Sequence, residues 1–140
     1  MFRSILIDDF MTKNLATATK EMDLLALVDM LLRRGISGAP VVDGSGHLIG
    51  MVSEHDCLKA ILVGTYQGDV GGSVADVMSS TIETIPLGTS IVEAANQMVT
   101  SGRRRLPVVD HDNRLVGQIS RSDLLRAVRA YEIPEEEPAR

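Results

Sequence analysis

Apolar positions along the chain follow two rhythms, and the whole succession occurs twice. In "DLLALVDMLLRRG" (23–35), Leu24, Leu27, Val28 and Leu31 fall on one face at helical spacing. Asp23 stands before that run as an N-cap, and Gly35 stands where a C-terminal glycine belongs. Next come "APVVD" and "HLIGMVS", two β-branched runs on either side of "GSG", the signature of a hairpin. A further helix is expected from Glu54. The same order returns downstream. "SIVEAANQMVTSG" has Ser90 and Glu93 spaced as a capping box and ends on Gly102. "LPVVD" and "RLVGQIS" flank "HDN", and a helix is expected from Arg121. Each copy is preceded by a lead-in, "DFMTKNLATAT" or "DVMSSTIETIP", that ends in a β-branched stretch. The predicted order is β-α-β-β-α, twice.

The repetition extends to residue identity. Residues 38–61 lie over residues 105–128 without a gap at an offset of 67, with ten of 24 positions identical. Chance would leave roughly one or two, so the chain is an internal duplication. The same offset aligns "DFMT" with "DVMS" and Gly35 with Gly102. We therefore expect one motif over 9–62, a Gly-rich connector over 63–75, a second motif over 76–130, and an acidic tail over 131–140. "GTYQGDVGGS" reads as flexible, and "IPEEEPAR" reads as frayed. The fold class is α/β in the α+β sense. One copy is too small to bury both faces of its sheet, so two are expected to pack sheet to sheet around a shared core.

Composition narrows the function. At 140 residues, with 44% apolar and 24% charged residues, the chain is globular rather than disordered. A net charge of −5 argues against a nucleic-acid binder, whose affinity comes mainly from neutralising phosphates. Aromatics make up 3% with no Trp, so base-stacking platforms are not expected. No apolar run reaches membrane-spanning length, and "SILI" is too short for a signal peptide core. A cytoplasmic protein without a membrane partner is expected. The single Cys57 excludes an internal disulfide and reads as a small buried hydrophobe. His47, His55 and His111 have no Cys or His partner at metal-ligand spacing and read as solvated turn residues. "DHDN" opens like a calcium loop, but Leu115 stands at the sixth position, where that loop needs Gly. There is no G-x-S-x-G, no base set beside the cysteine and no P-loop. No metal site and no catalytic constellation emerge, which disfavours an enzyme.

One pair of segments keeps two readings open. "GMVSEHD" (50–56) and "GQISRSD" (117–123) both place Ser, then Asp three residues on, before an apolar run. This is a helix cap worth about 1 kcal/mol. A helix start also presents free N–H groups and a positive dipole end. A hydroxyl there can donate to a phosphate, and a carboxylate one turn later can accept from two ribose hydroxyls. Cap and clamp share one geometry.

Residues 9–128 resemble a tandem pair of CBS (cystathionine-β-synthase) domains, a Bateman module. The two "PVVD" strands, the two Gly-x-[IV]-Ser-x-x-Asp segments and the lead-ins "DFMT" and "DVMS" carry the resemblance. It implies two β-α-β-β-α units related by a pseudo-twofold axis, with clefts that take AMP, ADP, ATP or S-adenosylmethionine. A magnesium ion would enter only with a polyphosphate. It also implies a homodimer, a flat disc of four motifs. Carried over, Ser53 and Asp56, and Ser120 and Asp123, meet phosphate and ribose. Leu15, Ala16 and Thr17, and Ile82, Glu83 and Thr84, meet adenine through the backbone. Ile36, Pro40, Val52, Pro107 and Ile119 are the aliphatics between which adenine would lie. For most of these, plain core packing holds as well.

The copies differ where the family often places a basic residue before the strand proline. Arg103, Arg104 and Arg105 stand there in the second copy, against Ile36, Ser37 and Gly38 in the first. Arginine forks suit phosphate oxygens, so Arg104 and Arg105 are candidate phosphate readers. A solvated basic patch at a helix end is the plain alternative. Unequal sites are expected, with the phosphate end drawn to the second copy. The function implied is a regulatory, allosteric nucleotide sensor. The chain runs from a Met to an acidic tail with no attached enzyme or channel, so its effector is expected to be a separate, unknown protein. A ligand-free interaction scaffold of the same fold is the alternative.

Overall fold

The computed structural model describes residues 2–68 and 71–132. The second copy forms the expected β-α-β-β-α order, whereas in the first copy the lead-in strand is reduced to an isolated bridge between Ala18 and Val41. The first copy contributes α1 (Leu24–Arg34), β1 (Gly38–Val42), β2 (Leu48–Ser53) and α2 (Glu54–Gln67). A short α3 (Val74–Val77) follows. The second copy contributes β3 (Ile85–Pro86), α4 (Ile91–Ser101), β4 (Arg105–Val109), β5 (Leu115–Ser120) and α5 (Arg121–Glu132). Strands β1 and β2 pair antiparallel, with a bulge between Val41 and Val42. Strands β3, β4 and β5 form a second sheet, with β3 parallel to β4.

The helix ends follow their sequence signals. Asp23 accepts from the Leu25 N–H at 3.0 Å, and Gly35 and Gly102 close α1 and α4 at φ of 61° and 73°. That left-handed conformation is open to glycine at no steric cost. The capping box predicted at Ser90 is only half made. Ser90 accepts from the Glu93 N–H at 3.2 Å, but no bond returns from the Glu93 side chain. The backbone on either side of Ser90 bonds residues 5 and 7 in an isolated bridge, with the Thr89 carbonyl accepting from the Ile7 N–H and the Ile91 N–H donating to the Ile5 carbonyl. The connector is also shorter than its glycines suggest. Helix α2 continues to Gln67 with Gly64 buried inside it, and Ser73 begins a new helix in a box with Asp76. Part of "GTYQGDVGGS" (69–70) and all of "IPEEEPAR" (133–140) lie outside the described residues.

The described residues form two compact units, and these exchange the opening residues of their lead-ins. One unit takes residues 2–14, 83–111 and 116–132; the other takes 15–82 and 112–115. Thus "DFMT", which precedes the first copy, packs with the second copy, and "DVMS" packs with the first. Thr12 bridges Gln118, and Ser79 bridges Met51, two contacts related by the 67-residue offset. Gly117 and Gly50 sit at these crossings. A Cβ on Gly117 would lie 2.8 Å from the Thr12 carbonyl oxygen and 2.9 Å from Met11 Sδ. A Cβ on Gly50 would lie 2.7 Å from Met78 Sδ. The glycine that opens each Gly-x-[IV]-Ser-x-x-Asp segment is therefore a site of close approach for the exchanged lead-in.

Each unit has its own core. Leu24, Leu27, Val41, Val52 and Val74 are fully buried in the first-copy unit, and Ile7, Ile85, Met98, Leu106 and Ile119 in the other. Each such side chain stabilises its unit by about 1.5–3 kcal/mol through removal from water. Val28 is only half-buried, at the edge of the α1 stripe.

Candidate functional site

In the first copy, β2 ends at Ser53, opposite Gly38 of β1 in the register, and α2 begins at the next residue. The Ser53 N–H donates to Asp56 Oδ2 at 2.9 Å, and the Asp56 N–H donates to Ser53 Oγ at 3.2 Å. The Ser53 hydroxyl also donates to Asp56 Oδ2 at 2.9 Å. Asp56 is half-buried, and its Oδ1 has no hydrogen-bond partner among the described residues. The second copy repeats the reciprocal box. Ser120 N–H donates to Asp123 Oδ2 at 2.8 Å, and Asp123 N–H donates to Ser120 Oγ at 3.2 Å. The caps read from sequence thus form in both copies. The carboxylates nevertheless differ, because Asp123 is 3% exposed and its Oδ1 is held by the Arg126 guanidinium.

Few free N–H groups remain at either helix start. The first helical N–H, of Glu54 or Arg121, is taken by the carbonyl of Ser37 or Arg104 at 2.8 and 2.9 Å. With the cap serines engaged as above, the N–H groups of His55 and Ser122 are left without a partner among the described residues. An anion at either start would meet one backbone donor and the dipole, so side chains must supply the rest.

The cations are unequally available. Arg104 and Arg105 are exposed and make no ion pair among the described residues. Arg103 reaches Glu83 at 3.7 Å. In the first copy a side chain is excluded at the position matching Arg105, because a Cβ on Gly38 would lie 2.9 Å from the Val52 carbonyl oxygen. Arg121 spends its guanidinium on the carbonyls of Gly102 and Arg103, at 3.2 and 3.1 Å.

Leu15, Ala16, Thr17, Ile82, Glu83 and Thr84 are all half-buried. In the second copy this segment is already engaged. Gln97 Nε2 donates to Glu83 Oε2 at 3.1 Å and to the Thr84 carbonyl at 3.0 Å. The matching residues of the first copy are Met30, Ala16 and Thr17, an apolar counterpart. Among the candidate aliphatics, Ile36 is half-buried, whereas Pro40 and Pro107 are buried and Val52 and Ile119 lie wholly within the cores. Val52 and Ile119 face core neighbours and present no side-chain surface to a ligand. Strand alternation turns them inward between less buried neighbours. Gln97 and Arg126 were not picked out from the sequence. Arg126 could have been, since it lies three residues from Asp123 on one helix, with Lys59 at the matching place. Gln97 leaves no local signal.

Other titratable groups follow their surroundings. Asp43 accepts the backbone N–H groups of His47 and Ser45, and the His47 bond does most to hold its carboxyl below the usual range. Burial pushes the Cys57 thiol up, aided by Asp56 and Glu54. Among the described residues no group of three His, Cys, Asp or Glu is placed to hold a metal ion. Among them no helix is long and apolar enough to cross a membrane.

The model of the CBS domain family matches residues 7–63 and again 74–130. The chain belongs to the CBS domain family. Its CBS pair is 32% identical over 124 residues to the uncharacterized protein MJ0188 of Methanocaldococcus jannaschii, covering 89% of this chain and 44% of that protein. The chain therefore spans less than half of that relative. The structure of CBSX2 from Arabidopsis thaliana in complex with AMP superposes with a TM-score of 0.78 at 27% identity, covering 90% of this chain and 97% of that one. A CBS domain-containing protein from Bacillus anthracis superposes with a TM-score of 0.81 at 22% identity, a likeness of fold alone.

Proposed function

We propose that this CBS pair is a regulatory, non-catalytic module that binds an adenosine nucleotide (AMP, ADP, ATP or S-adenosylmethionine) and signals its presence to a separate partner protein. The observation that carries the reading is the pair of Ser–Asp boxes at matching helix starts, the second accompanied by two exposed arginines. The AMP-bound CBSX2 structure supports it as a neighbour of the same fold, matched over 90% of this chain and 97% of that solved chain. Ser53, Asp56, Ser120 and Asp123 would meet phosphate and ribose, and Arg104 and Arg105 would read phosphate. The half-buried lead-in residues would meet adenine. A regulatory effect requires a ligand that favours one arrangement of the module over another. Thermal unfolding of the protein with AMP, ADP, ATP, S-adenosylmethionine and GTP tests this. A ligand at 100 times its Kd should add about 2.7 kcal/mol of stability. No shift with any of the five would favour the ligand-free scaffold.

We also propose that the chain forms a homodimer through its helices. Leu32 on α1 and Val99 on α4, and Leu58 on α2 and Leu125 on α5, are exposed pairs at matching positions of the two copies. Repeated apolar exposure of this kind suits a self-complementary interface. Leu58→Glu with Leu125→Glu should yield a monomer by sedimentation, and a wild-type protein that is already monomeric would overturn the dimer.

A further inference from the structure

The two clamps differ in two bonds. Asp123 is bound on both oxygens, Oδ2 by the Ser120 N–H and Oδ1 by the Arg126 guanidinium, and is 3% exposed. The Arg126 side chain is 54% exposed. Asp56 spends only Oδ2, on Ser53, and is half-buried. The residue matching Arg126 is Lys59, which makes no ion pair with Asp56 among the described residues. Asp56, the residue with the free oxygen, opens with Lys59 onto a cavity of about 390 Å³ beside α2.

We propose that Arg126 is a latch on the second clamp. Its guanidinium occupies the carboxylate oxygen that a ribose diol would use, so a nucleoside reaches Asp123 only by displacing it. A carboxylate that already accepts a charged donor has little left for two hydroxyls. The exposed stem leaves the guanidinium free to swing into solvent once released. The first clamp carries no latch and fills first. The Ser120 hydroxyl differs in the opposite sense. It makes no bond to the Asp123 side chain, so its proton remains available to a phosphate beside Arg104 and Arg105. The latched second clamp therefore favours the phosphate end of a ligand over its sugar. This inference rests on the nucleotide reading above and adds a residue that sets the order of filling.

Calorimetric titration of the full chain with AMP tests it. Asp56→Asn disables the first clamp and isolates the second. In that background Arg126→Gln should tighten AMP about tenfold, a gain of roughly 1.4 kcal/mol. The reciprocal variant Lys59→Arg, with the second clamp disabled by Asp123→Asn, installs the latch on the first copy and should weaken AMP severalfold. Lys59 is exposed, so its replacement disturbs no core packing, and this arm keeps the test open if Arg126→Gln unfolds. Unchanged or weaker AMP binding in Arg126→Gln overturns the latch while leaving the nucleotide reading intact. No heat of AMP binding in the wild-type protein or in any variant overturns both.

Discussion

The two copies share their element order, their bridges and their caps, and they differ in what each cap has left to offer. At the first, a half-buried Asp56 keeps one carboxylate oxygen free, while its serine spends its proton internally. At the second, the serine keeps its proton and the aspartate is closed by Arg126. The surroundings diverge in the same direction. Ala16, Met30 and Ile36 line the first, where Glu83, Gln97 and Arg103 form a polar network in the second. A duplication can thus preserve backbone geometry while a few side chains give two equivalent positions different chemistry. The glycine at 38 and the arginine at 105 are the plainest case, since the first copy's backbone leaves no room for a Cβ there.

The sharpest way to break this comparison is at the lead-in crossings. Gly117→Ala forces a Cβ against the Thr12 backbone and should cost about 3 kcal/mol by denaturant unfolding. Gly50→Ala meets first the end of the flexible Met78 side chain and should cost nearer 1 kcal/mol. Equal losses would show that the crossings are packed alike. Next in size come the aspartates. Asp123→Asn loses a buried, charge-assisted pair and should destabilise the protein by about 2 kcal/mol, whereas Asp56→Asn removes only a cap and should cost about 1 kcal/mol. A larger loss at Asp56 would reverse the contrast drawn here. Replacing Arg104 and Arg105 together by Ala should change stability by less than about 0.5 kcal/mol, because neither has an ion-pair partner among the described residues. The same double variant should weaken AMP about tenfold in titration, and an unaltered Kd would remove both from the site. The smallest effect is chemical. Cys57, raised in pKa by burial, stands where the second copy has Leu124. Iodoacetamide at pH 8 should leave it unlabelled in the folded protein and label it once unfolded. Rapid labelling of the native state would show that this half of the comparison is open to solvent.

Much of the fold is legible because its signals are local. Helix faces, caps at Asp23 and Ser53, and left-handed stops at Gly35 and Gly102 each depend on residues within one turn. The candidate site is legible to the extent that it is a cap, since Ser53 and Asp56 stand three residues apart. What cannot be read this way is any property set by a distant neighbour. Val52 and Ile119 look the same as lining or as core until the opposing layer is in place. The bridge between Ser90 and Leu6 joins segments more than eighty residues apart in sequence.

By itself the sequence determined the duplication, the element order and the position of both Ser–Asp boxes, because periodicity and capping act over a few residues. Only the tertiary structure decided that the openings of the lead-ins change partners, that Asp123 is shut while Asp56 stays half open, and that Gln97 reaches Glu83. Those outcomes depend on which backbone lies against which, and on how much water reaches a carboxylate. Contacts between segments far apart in the chain settle both, and the repeat, almost identical in local pattern, carries no mark of either.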